Sequence, residues 1–301
     1  MARSIPLATS LSPFIKRYVG EDCEIGHLYQ HRCIQSWREN GFEIFSVNAA
    51  AEVDLVKAAF PDVEVVTAER DMAALCGKPL IPLAEMIRAL RATGAPHGGI
   101  VNADVYAADS NVGARMAFDG RHALLFASRY EVEHPFGRPR VLYNNGFDAF
   151  FFDIAKASAL ACDPFTIGLP WWDYMLPLAF MTEGHTAAWI DGFPMHHLTH
   201  RAGWDFGSWR HFHDTFLQRF APSFEALRRS DRAPELPALD GIAATQALAQ
   251  RYLAYAEGRG LAHDTTTVAH RYQINTSAAV VDLIMEMAGT WQFDPLRRES
   301  R

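Results

Sequence analysis

Gly98-Gly99-Ile100-Val101-Asn102-Ala103-Asp104-Val105 is a short apolar run that ends in two oxygen-bearing side chains spaced one residue apart. The run reads as a buried strand. Its period of two sends Asn102 and Asp104 to the same side. Both oxygens then face one hard cation and the phosphates such a cation carries. A strand that simply closes in a polar turn accounts for the same residues, since Asn and Asp are common turn formers. The surrounding sequence bears on which reading applies.

Upstream, strand-like and helix-like segments alternate. Residues 4–8 form a short strand followed by the polar loop Ser10-Leu11-Ser12-Pro13, which is placed to meet a ligand. Residues 25–39 read as a helix with Leu28, Cys33, Ile34 and Trp37 as its apolar positions, stopped by Asn40-Gly41. Residues 42–47 and 63–67 read as strands, 50–60 as a helix, and 80–92 as a helix containing Leu83, Met86, Ile87 and Leu90. Strands separated by helices of this length are what a parallel α/β sheet requires. Ligands of such open sheets sit at the carboxyl ends of the strands, which is where Asn102 and Asp104 fall.

Downstream the pattern changes. Residues 122–127 and 146–152 are strand-like with no long helix between them, so the sheet is expected to become mixed. From Trp204 onward the chain turns helical, with Trp209, Phe212, Phe216 and Phe220 recurring on one helix face. The segment Ala233-Pro234-Glu235-Leu236-Pro237 breaks this region, and residues 239–257 and 277–287 supply two further helices.

Hydrophobic residues make up 49% of the 301, ample for a core, and the net charge is -7 with a pI near 6.0. That balance argues against nucleic acid as a partner, because backbone phosphates are bound by clustered Lys and Arg. The four cysteines, Cys23, Cys33, Cys76 and Cys162, form no CxxC pair and suggest reduced thiols in a cytoplasmic setting. The opening Met1-Ala2-Arg3-Ser4-Ile5-Pro6-Leu7 does not read as a signal peptide. The apolar stretch 169–181 is shorter than the roughly 20 residues of a spanning helix and carries Asp173 and two prolines. The aromatic stripe of Trp209, Phe212, Phe216 and Phe220, flanked by Arg210 and Arg219, suggests either packing within the protein or docking on a membrane surface.

Three clusters carry further chemistry. In Phe165-Thr166-Ile167-Gly168-Leu169-Pro170-Trp171-Trp172-Asp173-Tyr174, Pro170 suits a first helical turn and Asp173 stands near the helix start, fit either to cap the helix or to accept a hydroxyl proton. In Met195-His196-His197-Leu198-Thr199-His200, neutral imidazoles are competent ligands for Mn²⁺ or Zn²⁺, and His200 is taken as the partner of Asp104. In Tyr143-Asn144-Asn145-Gly146-Phe147-Asp148, the acid interrupts an apolar strand and needs a partner, for which Arg129 is proposed. The sequence contains no dinucleotide fingerprint, P-loop, His-Glu-x-x-His or Gly-x-Ser-x-Gly motif.

Taken together, the opening strand with its polar loop, the helix and strand spanning Ser36-Trp37 to Val47-Asn48, the strand ending in Asn102-Ala103-Asp104, and a late histidine resemble the nucleotide-diphospho-sugar transferase superfamily, the GT-A glycosyltransferases, over residues 4–205. The resemblance implies a Rossmann-type mixed sheet flanked by helices in a catalytic domain of residues 1–205, with a helical appendage of residues 206–301 packed on it. It also implies transfer of a sugar from a nucleotide-diphosphate donor to a glycan or other hydroxyl acceptor. Asp104 and His200 would hold Mn²⁺ or Mg²⁺, and Ser10, Asn102, Asp104 and Arg129 would contact the donor. Asp173 would serve as base, with Asp148 as the competing candidate. The family usually has aspartate where Asn102 stands, which weakens the expected metal affinity. Two other readings stay open. One is a nucleotidyltransferase, although the loop after the first strand lacks a Gly-rich, cationic character. The other is a non-catalytic nucleotide- or glycan-binding protein on the same fold.

Overall fold

The structure, a computed structural model, describes residues 4–20, 22–109, 121–135, 137–200, 206–259 and 262–293. In chain order its strands are β1 (Ile5–Thr9), β2 (Tyr18–Val19), β3 (Cys23–Glu24), β4 (Phe42–Asn48), β5 (Glu64–Thr67), β6 (His97–Val101), β7 (Val105–Ala107), β8 (Leu124–Ala127), β9 (Tyr130–Val132), β10 (Val141–Leu142), β11 (Ala149–Asp153), β12 (Ala187–Asp191), β13 (Met195–Leu198) and β14 (Gly289–Gln292). Eight of them form one sheet in the order β14-β12-β8-β11-β6-β1-β4-β5. Within it only β11 runs against its neighbours, β6 and β8. The fold is therefore an α/β Rossmann-type mixed sheet, as the alternation upstream and its loss downstream predict.

The glycine pair sits at the centre of this sheet because nothing larger fits. A Cβ on Gly99 would lie 2.6 Å from the Phe150 carbonyl oxygen of β11 and 2.7 Å from Leu7 Cδ1 of β1. The helix α1 (Gly26–Glu39) covers one face through Trp37, whose ring packs edge-on to Phe42 at 5.5 Å and stacks near Phe193 at 6.4 Å. Its indole nitrogen donates to the Val105 carbonyl at 3.0 Å, so the same side chain fixes the segment after β6. The helix ends where the Asn40 amide turns back onto the Ser36 carbonyl and Gly41 adopts φ 83°. Leu28, expected on the buried face of α1, is 70% exposed.

Among the described residues the remaining helices of the first unit are α2 (Val53–Ala59), α3 (Ala73–Cys76), α4 (Leu83–Ala92), α5 (Ile154–Ser158) and α6 (Trp172–Thr182). Helix α4 begins at residue 83 and not 80, because Pro82 holds ψ at 146° and leaves the helix to start after it. Pro170 likewise lies outside α6, whose preceding residue Trp171 takes φ 74°; Asp173 does stand in the first turn. Four short strands form a second sheet, β10-β9-β13-β7, and β2 pairs with β3 in a hairpin.

The largest departure from the sequence reading concerns the quoted stretch itself. Strand β6 ends at Val101, and Asn102-Ala103-Asp104 form a turn that leads into β7. Period-two geometry does not extend to residue 104, so Asn102 and Asp104 do not share one face of a strand.

The chain forms two compact units, one running to Trp204 and resuming at Gly289, the other Asp205–Ala288. The second contains α7 (Phe206–Arg228), α8 (Ala238–Arg259) and α9 (Ala262–Met287). After α9 the chain re-enters the first unit. Gly289–Gln292 pair parallel to β12, and Phe293 anchors them by packing at 5.6 Å on Phe193. The stripe of Trp209, Phe212, Phe216 and Phe220 is buried, with no residue of it above 7% exposure, so it offers no open face to a membrane. Among the described residues no helix is long and apolar enough to cross one.

Because the crowding at Gly99 involves backbone on one side and a core leucine on the other, Gly99→Ala is expected to lower stability by about 1–3 kcal/mol. Equilibrium urea unfolding measures it.

Candidate functional site

The turn after β6 is held from below by α1. The hydroxyl of the buried Tyr29 donates to the Asp104 carbonyl at 2.9 Å and accepts from the Leu198 amide at 2.8 Å, tying the turn to β13. In the second sheet His197 lies opposite Val105 of β7 and Glu131 of β9. These pairings deliver an imidazole to the Asp104 carboxylate. His197 Nε2 is 3.4 Å and His200 Nε2 3.2 Å from Asp104 Oδ2, and the Arg17 guanidinium closes on the same oxygen. Ligand atoms of Asp104, His197 and His200 all lie within 4.8 Å of one another. A carboxylate with two imidazoles suits a first-row divalent ion such as Mn²⁺ better than Mg²⁺, which prefers an all-oxygen shell.

Behind this cluster the polar groups form a closed circuit. His197 Nδ1 lies 3.0 Å from Glu131 Oε2, and Arg129 Nε donates to Glu131 Oε1 at 2.8 Å. Arg129 Nη1 then donates to Asp148 Oδ1 at 2.6 Å, and the same oxygen accepts from Asn102 Nδ2 at 2.5 Å. Asn102 adjoins the turn that carries Asp104, which completes the ring. The proposed Arg129–Asp148 pair is thus present, and Arg129 also lies 4.1 Å over the Tyr143 ring.

Proton affinities follow from these contacts. Burial would raise the Asp104 carboxyl, but His197, His200 and Arg17 outweigh it and hold it well below the usual range. Burial would lower His197, yet Asp104 and Glu131 lift it to about 9, so it is cationic at neutral pH. Glu131 is pulled down to about 2 by His197 and Arg129 against the opposing effect of burial. Asp173 behaves differently. Half-buried in the first turn of α6, it is raised to about 7 by desolvation and then by the charge of Asp148, against the opposing pull of the Phe147 amide at 3.3 Å, its own backbone amide and the charge of Arg129.

A cleft of about 470 Å³ opens beside the turn, lined by Ser10, Arg17, Glu52, Lys78, Asn102 and Asp104 among others. Its loop wall is built from buried polar groups of β4. Ser46 Oγ accepts from the Leu11 amide at 2.8 Å and donates to Asn48, whose amide reaches the Leu11 carbonyl at 2.8 Å. Of the residues singled out by sequence, Ser10, Asn102 and Asp104 line this cleft, and His200 meets Asp104. Arg129 and Asp148 lie in the circuit behind it, and neither they nor Asp173 line it. Asn102 turns its amide nitrogen to Asp148 and is not part of the Asp104–His197–His200 group. The expectation that Asn102 and Asp104 converge on one cation is therefore corrected. His196 points elsewhere, edge-on to Tyr106.

Three participants were not selected from sequence. His197 lies two residues from Met195 and, like it, is buried on β13, so the alternation of Met195-His196-His197-Leu198 held a signal for choosing it over His196. Glu131 stands two residues from Arg129, a spacing that an extended backbone turns into neighbouring side chains. Arg17 carries no local pattern at all, because its partner is 87 residues away.

No protein-family model matches the chain, and no curated protein is similar to it in sequence. Among solved structures, the chain is similar to the inositol-1-phosphate CTP transferase from T. maritima, with 14% identity over 70% of this chain and 95% of that one and a TM-score of 0.42. It is also similar to HddC from Yersinia pseudotuberculosis, with 10% identity over 56% of this chain and 84% of that one and a TM-score of 0.35. The same protein complexed with GMP-PN gives 9% identity over 52% and 80%, with a TM-score of 0.32.

Two outcomes are expected from this electrostatic arrangement. Arg129→Met strands the carboxylates of Asp148 and Glu131 and lowers stability by about 3–5 kcal/mol in chemical denaturation. For Asp173, the folded state retains a proton that the unfolded chain, with the ordinary value of 3.8, releases. Its contribution to stability is therefore present at acid pH and is lost as pH rises from about 4 through about 7. Asp173→Asn removes that loss, and comparison of the two proteins' melting temperatures at pH 5 and pH 8 should show the variant gaining clearly more at pH 8 than at pH 5.

Proposed function

We propose that this protein is a nucleotide-dependent transferase that moves a sugar from a nucleotide-diphosphate donor to a hydroxyl acceptor with the help of a divalent ion. The observation that carries this reading is the Asp104–His197–His200 group at the carboxyl end of the central strand, next to the cleft that Asp104 also lines. Asp104, His200 and, once it has given up its proton, His197 would hold the ion, which when bound supplies charge neutralisation for the departing diphosphate. Arg17, Lys78 and the Ser10 loop lie on the same cleft, where cations and hydroxyls suit phosphate oxygens.

Asp173 is the candidate base, although it stands outside the cleft, so the acceptor hydroxyl would have to reach it from beyond the residues that line the donor's place. A carboxylate whose proton affinity is near neutrality both accepts a hydroxyl proton at working pH and returns it afterwards. Asp148 suits that role less well, because its Oδ1 is already taken by Arg129 and Asn102. Its charge instead helps to raise Asp173.

Nucleotidyl transfer is the second reading. It is favoured by Arg17 and Lys78, two cations on one cleft where a triphosphate would need them, although the Ser10-Leu11-Ser12-Pro13 loop has no glycine. The two reactions differ in product. Incubated with Mn²⁺ and panels of nucleotide sugars and nucleoside triphosphates, the protein is expected to release nucleoside diphosphate from a nucleotide sugar; pyrophosphate release from a triphosphate would support the second reading. Asp104→Ala should cut the rate on the order of 10²–10³-fold when assayed well below the variant's own melting temperature, which falls because Arg17 and His197 lose their carboxylate. Release of neither product, or a rate unaltered in Asp104→Ala, would refute the assignment.

A further inference from the structure

Asp104 Oδ2 has one more partner than a metal site needs. The guanidinium of Arg17 closes on the oxygen that His197 and His200 also face, and its side chain is only 13% exposed. From this geometry we infer that Arg17 is a phosphate-binding residue that rests on Asp104 while the divalent ion is absent and turns to the ligand's diphosphate when the ion takes its place. The inference rests on the function proposed above and adds to it a specific ligand for Arg17 and an order of events.

Three observations support it. First, a guanidinium and a divalent cation on one carboxylate oxygen repel each other, so Arg17 and a metal compete for Asp104 and do not share it. Second, Arg17 holds donors in reserve. Nη2 meets Asp104 and Nη1 donates to the Lys16 carbonyl at 2.9 Å, but Nε is buried with no hydrogen-bond partner. Leaving such a donor unsatisfied is costly, and a guanidinium turned from Asp104 to a phosphate would bring Nε and Nη2 onto two of its oxygens. Third, the movement required is confined to the side chain. The Arg17 amide donates to Glu24 Oε1 at 3.2 Å, its carbonyl accepts from the Ile25 amide at 2.7 Å, and Glu24 is itself fixed by the Gly26 amide at 2.6 Å. The backbone is thereby pinned at the start of α1, and the side chain that lines the cleft would turn about this anchor on releasing Asp104 and the Lys16 carbonyl.

The consequence is coupling between metal and diphosphate. Each ligand should strengthen the other, since the ion frees the guanidinium and the phosphate keeps it away from Asp104, and such coupling is reciprocal. The test uses the full-length chain with Arg17→Gln and Arg17→Lys. Mn²⁺ binding alone is followed by electron paramagnetic resonance, and binding of inorganic pyrophosphate at saturating Mn²⁺ by calorimetry. Arg17→Gln is expected to bind Mn²⁺ alone about three- to tenfold more tightly than the unaltered protein, and pyrophosphate at least about tenfold more weakly. Arg17→Lys should retain part of the pyrophosphate affinity. A merely structural role for Arg17 would weaken both ligands or neither. Unchanged or weaker Mn²⁺ binding in Arg17→Gln, or unchanged pyrophosphate binding, overturns the inference while leaving the metal-assisted reading intact. Failure of the unaltered protein to bind Mn²⁺ at all overturns both.

Discussion

Carboxylates drawn out of water must find opposite charge, and the candidate site is organised around that requirement. Asp104, Glu131 and Asp148 are held at side-chain exposures of 18%, 21% and 3%. Against them stand Arg17, Arg129 and a cationic His197, one positive group for each negative one. The cluster is thus close to neutral as it stands, in a chain whose net charge is -7. A neutral cluster within an acidic protein does not draw in a diphosphate by itself. An anion is better bound when it arrives with its own counter-ion, which accords with a metal-assisted reading.

The topology explains how residues far apart in the chain supply these charges. Among the strands of the main sheet, β6 ends at the cleft, whereas the reversed β11 begins there. Asp148, just before β11, consequently meets Asn102, just after β6, and the two segments are also joined by the Asn102 amide bonding to the Asp148 carbonyl at 3.0 Å. The second sheet adds β9 and β13 side by side, which sets Glu131 against His197. Helix α1 fixes the height of the turn through Tyr29 and Trp37, so packing in the core and position of the site are one constraint.

Much of this was legible in the sequence, and the gaps have physical causes. The alternation of apolar strands and helices up to residue 101 identified the sheet, because each element carries its own periodicity. Asp104, His200 and the Arg129–Asp148 pair were legible because an acid or a histidine in an apolar setting needs a partner. The end of β6 was misplaced by three residues, since Asn-Ala-Asp suits a strand tip and a turn equally well. That error made Asn102 look like a companion of Asp104. Arg17 was invisible because an exposed-looking basic residue in a loop acquires meaning only once a distant carboxylate is brought to it. Gly289–Gln292 escaped for a related reason: a four-residue strand has too little length to register a period, and only its pairing with β12 defines it.

That last strand has a bearing on how the molecule comes apart. Asp205–Ala288 follows β13 of the second sheet and precedes β14 of the main sheet, so both ends of the helical segment are moored in the first unit. Closing so long an excursion costs an entropy that rises only slowly with its length. Fraying or melting of the helices would then slacken the tether without releasing it, and β14 would remain within reach of β12. The edge of the sheet furthest from β5 is thereby protected by covalent continuity as well as by hydrogen bonds.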